Sequence, residues 1–217
     1  MAKPFELKFS NRVIEHLGIK LYQNKPTNVV AEFLSNSWDA DAFNVQIELK
    51  AQGAGGKPII VITDDGRGMT RDELTDEFLI IGRNRRGEPT ERTPAGRLPM
   101  GRKGIGKLAG FGIAGTVDVI SSPNIQLRRD ADIVAQSFYW LRFSLQELIA
   151  KSTASLTGSY EPEVIADGVN LNVLQDLVIN NGCEEECRHF LENSISGKGG
   201  VCIILRNTTL KLSLIHI

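Results

Sequence analysis

The sequence has few cysteines, almost no excess charge and no long apolar run, and each shortage removes a class of protein. No stretch of the 217 residues reaches the roughly 18 uncharged apolar residues of a membrane-spanning helix. The opening MAKPFELKFSNR lacks the apolar core of a secretion signal. A cytoplasmic location without a membrane partner is therefore expected. The only cysteines, Cys183, Cys187 and Cys202, are odd in number and match no disulfide framework, which fits a reducing compartment. With His189 they could be drawn as a zinc site, but no C-x2-C knuckle is present, and buried or surface thiols are the simpler reading. A net charge of -1 excludes a strongly basic nucleic-acid module, although charge can still be unevenly spread. There is no internal repeat and no low-complexity tract.

What remains is ordinary globular composition, 41% hydrophobic and 24% charged, which fits one α/β domain with a sizeable core, or one domain plus part of a second. Val13, Ile14, Leu17 and Leu21 have helical spacing behind Ser10 or Asn11 as N-cap. Pro26 and Thr27 open a second helix, TNVVAEFLSNSWDADA. NVQIELK alternates and PIIVIT is continuously apolar, with glycine-rich AQGAGG between them, the pattern of a β-hairpin. Thr70 and Glu73 form a capping box for a helix over TRDELTDEF. GTVDVISS, DIVAQSFYWLRFSL and GVCIILRN read as strands and EEECRHFLENSI as a helix. Residues from about 150 to 181 read as an insertion.

Three stretches carry chemistry. On the helix opened by Thr27, Glu32, Asn36 and Asp39 fall within roughly 60° of one another, while Val30, Phe33 and Leu34 point away. Such a stripe is either a solvated face or a site where an amide oxygen holds magnesium and a carboxylate activates water. In VITDDGRGM a buried strand delivers Asp64 and Asp65 to its end, and Gly66 and Gly68 let the backbone turn and approach a ligand. That is a plain turn, or a carboxylate placed to accept from an exocyclic amine such as N6 of adenine.

The third stretch is MGRKGIGKLAGFGIAG, Met100–Gly115. As a Walker A loop it runs Gly101-x-x-x-x-Gly106-Lys107, but Leu108 stands where a hydroxyl must meet magnesium, and no strand precedes it. As a dinucleotide fingerprint, Gly104-x-Gly106-x-x-Ala109 lacks the βαβ unit. What survives is a glycine-rich helix start that offers backbone N–H groups to an anion, with Lys103 or Lys107 adding charge. Between it and Gly82 lies an irregular segment too long for an ordinary connection. Its basic residues, Arg83, Arg85, Arg86, Arg92, Arg97, Arg102 and Lys103, could meet nucleic-acid phosphates; facing a triphosphate or solvent is the plainer account.

In this order, EFLSNSWDA, DDGRGM and GRKGIGKLAGFG resemble the N, G1 and G2 boxes of the GHKL ATPases, the superfamily of DNA gyrase, heat-shock-ninety chaperones, histidine kinases and MutL. FLIIGRNRR is also similar to the segment before the lid in MutL-like and microrchidia-like members. The resemblance covers about Ser10 to Ser122, with the final strand as a weaker extension. It implies an α+β fold, a two-layer α/β sandwich of the Bergerat type, with a mixed, mainly antiparallel sheet, helices on one face and an ATP lid over about 82–106.

By motif, the resemblance implies Glu32 as the base that activates water and Asn36 as the magnesium ligand, with Asp39 shaping the pocket. It implies Asp64 as the carboxylate that recognises adenine, Gly66 and Gly68 beneath the base, and Met69 packed on the ring. Gly104, Ile105, Gly106 and Lys107 would cradle the phosphates. ATP and Mg2+ are the implied ligands, and a homodimer closed through ATP-bound lids the implied assembly. One departure stands out: many relatives begin the last strand with Gly-Thr, whose hydroxyl supports the adenine carboxylate, and here Val201 takes that place.

Hydrolysis is the expected reaction, because Glu32 supplies a base and Asp39 follows Asn36 where histidine kinases carry a basic residue. A histidine-kinase-like phosphotransferase and a non-hydrolysing ATP-binding module are the alternatives. The last six residues, LSLIHI, match a translated transposase adapter end, so residues 1–211 are expected to be the ATP-binding domain and 212–217 a non-native tail.

Overall fold

The computed structural model describes residues 3–10, 22–23, 25–51, 56–80, 92–100, 106–128, 136–153 and 157–210. The helix expected before Tyr22, parts of the segment expected as a lid and the residues after 210 lie outside the described residues.

Pro26 stands in the first turn of helix α1, Pro26–Asp39, where its fixed φ suits the helix and its missing N–H is no loss. Val29, Phe33 and Ser37 recur every fourth residue and are buried; Leu34, expected on the apolar side, is exposed. Strands β2, Val45–Lys50, and β3, Ile59–Asp64, pair antiparallel as the hairpin pattern predicts. The Thr70–Glu73 capping box forms in both directions, but only Arg71–Glu73 is α-helical, and the chain then widens into a π-turn over Leu74–Phe78. Gly106–Gly112 is a 3-10 segment.

Strands β4, Thr116–Ser122, β5, Phe138–Ser144, β7, Glu163–Val169, and β8, Gly200–Arg206, complete a six-stranded sheet in the order β2-β3-β8-β4-β5-β7. Every described pairing in it is antiparallel. β1, Leu7–Ser10, pairs with β6, Thr157–Tyr160, in a separate two-stranded sheet. Helix α2, Leu145–Thr153, follows β5, and helices α3, Leu171–Asn180, and α4, Glu184–Ile195, precede β8. The stretch expected as an insertion thus contains β6, β7 and α3.

The sheet buries both faces. Ile60, Ile62, Val119, Leu141, Ile203 and Leu205 pack with Val29 and Phe33 of α1 and Ala109 and Phe111 of the 3-10 segment. Ile59, Val61, Ile120, Trp140, Cys202 and Ile204 pack with Leu174 and Val178 of α3 and Cys187 and Phe190 of α4. The expected α+β sandwich is present, and α3 and α4 add a helical layer on the second face. Double cover explains why all six residues of β3 are buried, and why that strand reads as an unbroken apolar run.

Under this second layer Asp118 is fully buried and accepts from Trp140 Nε1 at 3.0 Å, Arg142 Nε at 2.7 Å and Arg206 Nε at 2.8 Å. The three cysteines are buried, free thiols in the same layer. His189 turns away from them, to Glu48 and Glu192. Among the described residues no group of three or more His, Cys, Asp or Glu side chains could hold a metal ion, and no helix is long and apolar enough to cross a membrane.

Candidate functional site

A cavity of about 260 Å3 opens between α1, the ends of β3 and β8, and the start of the 3-10 segment. Glu32, Asn36 and Asp39 all line it, with Asp64, Gly68, Met69, Gly106 and Val201. The α1 stripe faces a pocket, which is why it is polar beside a buried Phe33 and Ser37.

Antiparallel register sets one end of the cavity. Asp64 pairs with Val201, and Val201 with Ser121, so three strands deliver their ends side by side. Asp64 Oδ1 accepts from Gly66 N at 3.0 Å and Oδ2 from the Ser37 hydroxyl at 2.9 Å; the Val201 N–H donates to it as well. Burial pushes the Asp64 carboxyl up to about 6, against the opposing pull of these hydrogen bonds. Val201, read from the sequence as a departure that leaves β8 without a hydroxyl, offers Asp64 only its N–H, and the hydroxyl on Asp64 comes from Ser37 of α1.

The neighbouring Asp65 has a different task. It accepts from Phe43 N at 2.8 Å, Asn44 N at 2.7 Å and Asn44 Nδ2 at 2.8 Å. Burial alone would raise its carboxyl, but the Asn44 and Phe43 bonds outweigh that and hold it below the usual range. Asp65 ties the turn after α1; Asp64 serves the cavity. Gly68 has φ +57°, and a Cβ there would collide with the Ser122 carbonyl. Only glycine fits both the left-handed turn and that approach. Met69 donates its N–H to Ser121 Oγ at 2.9 Å and packs half-buried against the core.

At the other end Glu32 Oε2 accepts from the Tyr22 hydroxyl at 3.1 Å, and the Tyr22 phenol is pushed up to about 12 by burial and by Glu32. Gly106 is buried directly against the Glu32 carboxylate, which a Cβ would strike. Gly104, Ile105 and the side chain of Lys107 lie outside the described residues. Asp39 Oδ1 accepts from Met100 N at 2.7 Å, so the segment expected as a lid touches the cavity rim.

Four charged residues that line the cavity, Arg67, Glu73, Glu77 and Arg128, were not among the expected site residues. Arg128 donates to Glu73 at 2.5 Å, to Arg67 O at 3.0 Å and to Gly68 O at 2.8 Å; it lies far along the chain in a loop with no motif. Arg97, expected to face a triphosphate or solvent, instead lies over the Trp38 and Phe43 rings and donates to Ala42 O at 2.8 Å. Asp41, in left-handed backbone at φ 59°, holds the same segment through the Thr93 hydroxyl and Ala95 N. A short acceptor and a planar cation at a helix end account for this docking better than phosphate binding does.

A family described as histidine kinase-, DNA gyrase B- and HSP90-like ATPase matches residues 24–141. Among individual proteins, one from Herpetosiphon aurantiacus named as the type II restriction enzyme HgiDII is 41% identical over 117 residues, 54% of this chain and 18% of its own length. The DNA mismatch repair protein MutL of Acidobacterium capsulatum is 36% identical over 69 residues, 32% of this chain and 10% of its own. MutL of Halobacterium salinarum is 48% identical over 50 residues, 23% of this chain and 7% of its own. The chain therefore spans less than a fifth of each of these relatives.

Proposed function

The chain belongs to the histidine kinase-, DNA gyrase B- and HSP90-like ATPase family, and from that premise we propose that it binds ATP with Mg2+ in the cavity beside α1 and hydrolyses it. The observation that carries this reading is the convergence of Glu32, Asn36, Asp64 and Gly106, from three separate motifs, on one cavity.

The residues fit the ligands. Asp64 offers a buried acceptor to the exocyclic amine of adenine, with Met69 and Val201 as apolar walls. Gly106 lies at the phosphate end, and by motif Gly104, Ile105 and Lys107 are the residues that would cradle the phosphates. The Asn36 amide oxygen would hold Mg2+, which supplies charge neutralisation on the phosphates. Glu32 takes the proton of the attacking water, in a position fixed by Tyr22. Lid closure excludes bulk water, and closed lids bring two copies together.

Hydrolysis is favoured over phosphotransfer to histidine by Glu32 at the phosphate end and by Asp39 in place of a basic residue. Turnover of ATP by the wild type and by Glu32→Ala tests the reading. The variant should still bind ATP and lose at least about a hundredfold in kcat, since a base acts in the transition state. Equal rates with ATP bound would leave only a binding module. The names of the relatives favour a cycle that acts on DNA; duplex DNA that leaves turnover unchanged at low salt would count against that.

A further inference from the structure

Asp41 stands in left-handed backbone, at φ 59°, where glycine sits without strain and a residue with a Cβ does not. Its buried side chain accounts for the exchange. The carboxylate accepts from the Thr93 hydroxyl and from Ala95 N at 3.1 Å, with Arg97 Nε 4.0 Å away. The segment it receives is closed on itself: Thr93 N donates to Arg97 O at 2.9 Å, Gly96 N to Thr93 O at 2.7 Å, and Arg97 N to Thr93 Oγ1 at 3.1 Å. Arg97 then lies over the Trp38 ring, and Trp38 Nε1 donates to Leu98 O at 3.0 Å. A small self-bonded turn is thus clasped to the C-terminal end of α1.

Asp41, Thr93 and Arg97 stand outside the cavity, but the clasp leads into it. Three residues past Arg97, Met100 donates its N–H to Asp39, which lines the cavity. Further on, Gly106 packs against Glu32 of the same helix. Asp39 and Glu32 are two turns apart on α1, about 10 Å along its axis. Met100 and Gly106, each held to α1, bound the stretch that includes Gly104 and Ile105, the residues that by motif would cradle the phosphates.

We propose that Asp41 is a positioning residue: by seating the 93–97 turn on α1 it fixes one root of the phosphate-cradling stretch. This rests on the reading of the cavity as an ATP site. The effect is confined to the phosphates, because Asp64 takes its hydrogen bonds from Ser37, Gly66 and Val201, none of which belongs to the clasp. A root docked about nine-tenths of the time, and about one-tenth without its anchor, lowers apparent affinity roughly tenfold, since the binding-competent fraction enters directly.

The experiment uses Asp41→Gly, which removes the carboxylate while relieving the left-handed backbone, and Thr93→Val, which removes the hydroxyl from the other side. Titration calorimetry with ATP and with adenosine is set beside the rate of trypsin cleavage after Arg97. Both variants should bind ATP about tenfold more weakly than the wild type, bind adenosine equally well, and be cut about tenfold faster. The double variant should be no worse than Asp41→Gly, since the two changes break one clasp. Unchanged cleavage, unchanged ATP affinity, or an equal loss for ATP and adenosine overturns the role of Asp41; the last would make it a support of the fold alone. A wild type that binds neither ligand overturns the reading of the cavity instead. Thr93→Val carries the test if Asp41→Gly does not fold.

Discussion

The Ser37 hydroxyl donates to Oδ2 of Asp64 at 2.9 Å, from the same helix that carries Glu32 and Asn36. A carboxylate at the end of β3 is thereby held by the helix above it, and the strand beside it contributes an apolar Val201 side chain and a backbone N–H.

Ser37→Ala removes that donor and should weaken ATP binding about tenfold, a typical loss for a hydrogen bond to a charged group. Adding Val201→Thr should recover most of it, because Val201 pairs in register with Asp64 and lines the same cavity. Titration calorimetry of the single and double variants decides: a double variant no better than Ser37→Ala refutes the exchange of roles.

The Asp64 carboxyl, pushed up to about 6 by burial, makes opposite demands on binding and folding. The ionised form accepts the amine, so ATP affinity should rise between pH 5 and 7 with a midpoint near 6. A raised carboxyl favours the folded state most below its unfolded value of 3.8, and that contribution is lost as pH passes 6. Asp64→Asn should abolish its share of both trends; its own curve also subtracts the titration of the nucleotide's phosphate.

Tyr22→Phe deletes the hydroxyl on Glu32 Oε2 while keeping the ring that packs in the core. If the hydroxyl positions the base, kcat should fall roughly five- to tenfold with KM for ATP unchanged. A change in KM alone would assign Tyr22 to binding.

Asp118→Ala would remove the carboxylate shared by Arg142 and Arg206 and leave Arg206 without its ion pair, while Arg142 keeps Asn181 and Glu163. Loss of one member of a buried ion cluster costs about 3–5 kcal/mol, measurable as a lower urea midpoint with unchanged slope. Little change in midpoint would mean that water satisfies the arginines once the carboxylate is gone.

Local signals make much of this fold legible in the sequence. Helix α1 was visible from its proline and its periodicity, the β2–β3 hairpin from alternation beside a glycine-rich break, and the capping box at Thr70 from two residues. The stripe of Glu32, Asn36 and Asp39 followed from helical geometry alone, because spacing along one helix fixes which side chains share a face. Resemblance to a family then joined that stripe to Asp64 and Gly106 by motif.

Pairing across distant segments settled the rest. The resemblance pointed to Asp64 over Asp65, and strand register is the physical reason that Asp64 faces the cavity, since one residue's slip sends a side chain to the opposite face. The support from Ser37, the unpartnered Nε of Arg67 and the clamp of Arg128 on Glu73 arise where α1, the β3 turn and a later loop meet. No spacing along the chain encodes that meeting. The helical layer of α3 and α4 over the sheet's second face is of the same kind: the helix over EEECRHFLENSI was readable, but its side of the sheet was chosen by the apolar residues of β3, β4, β5 and β8 that it had to cover.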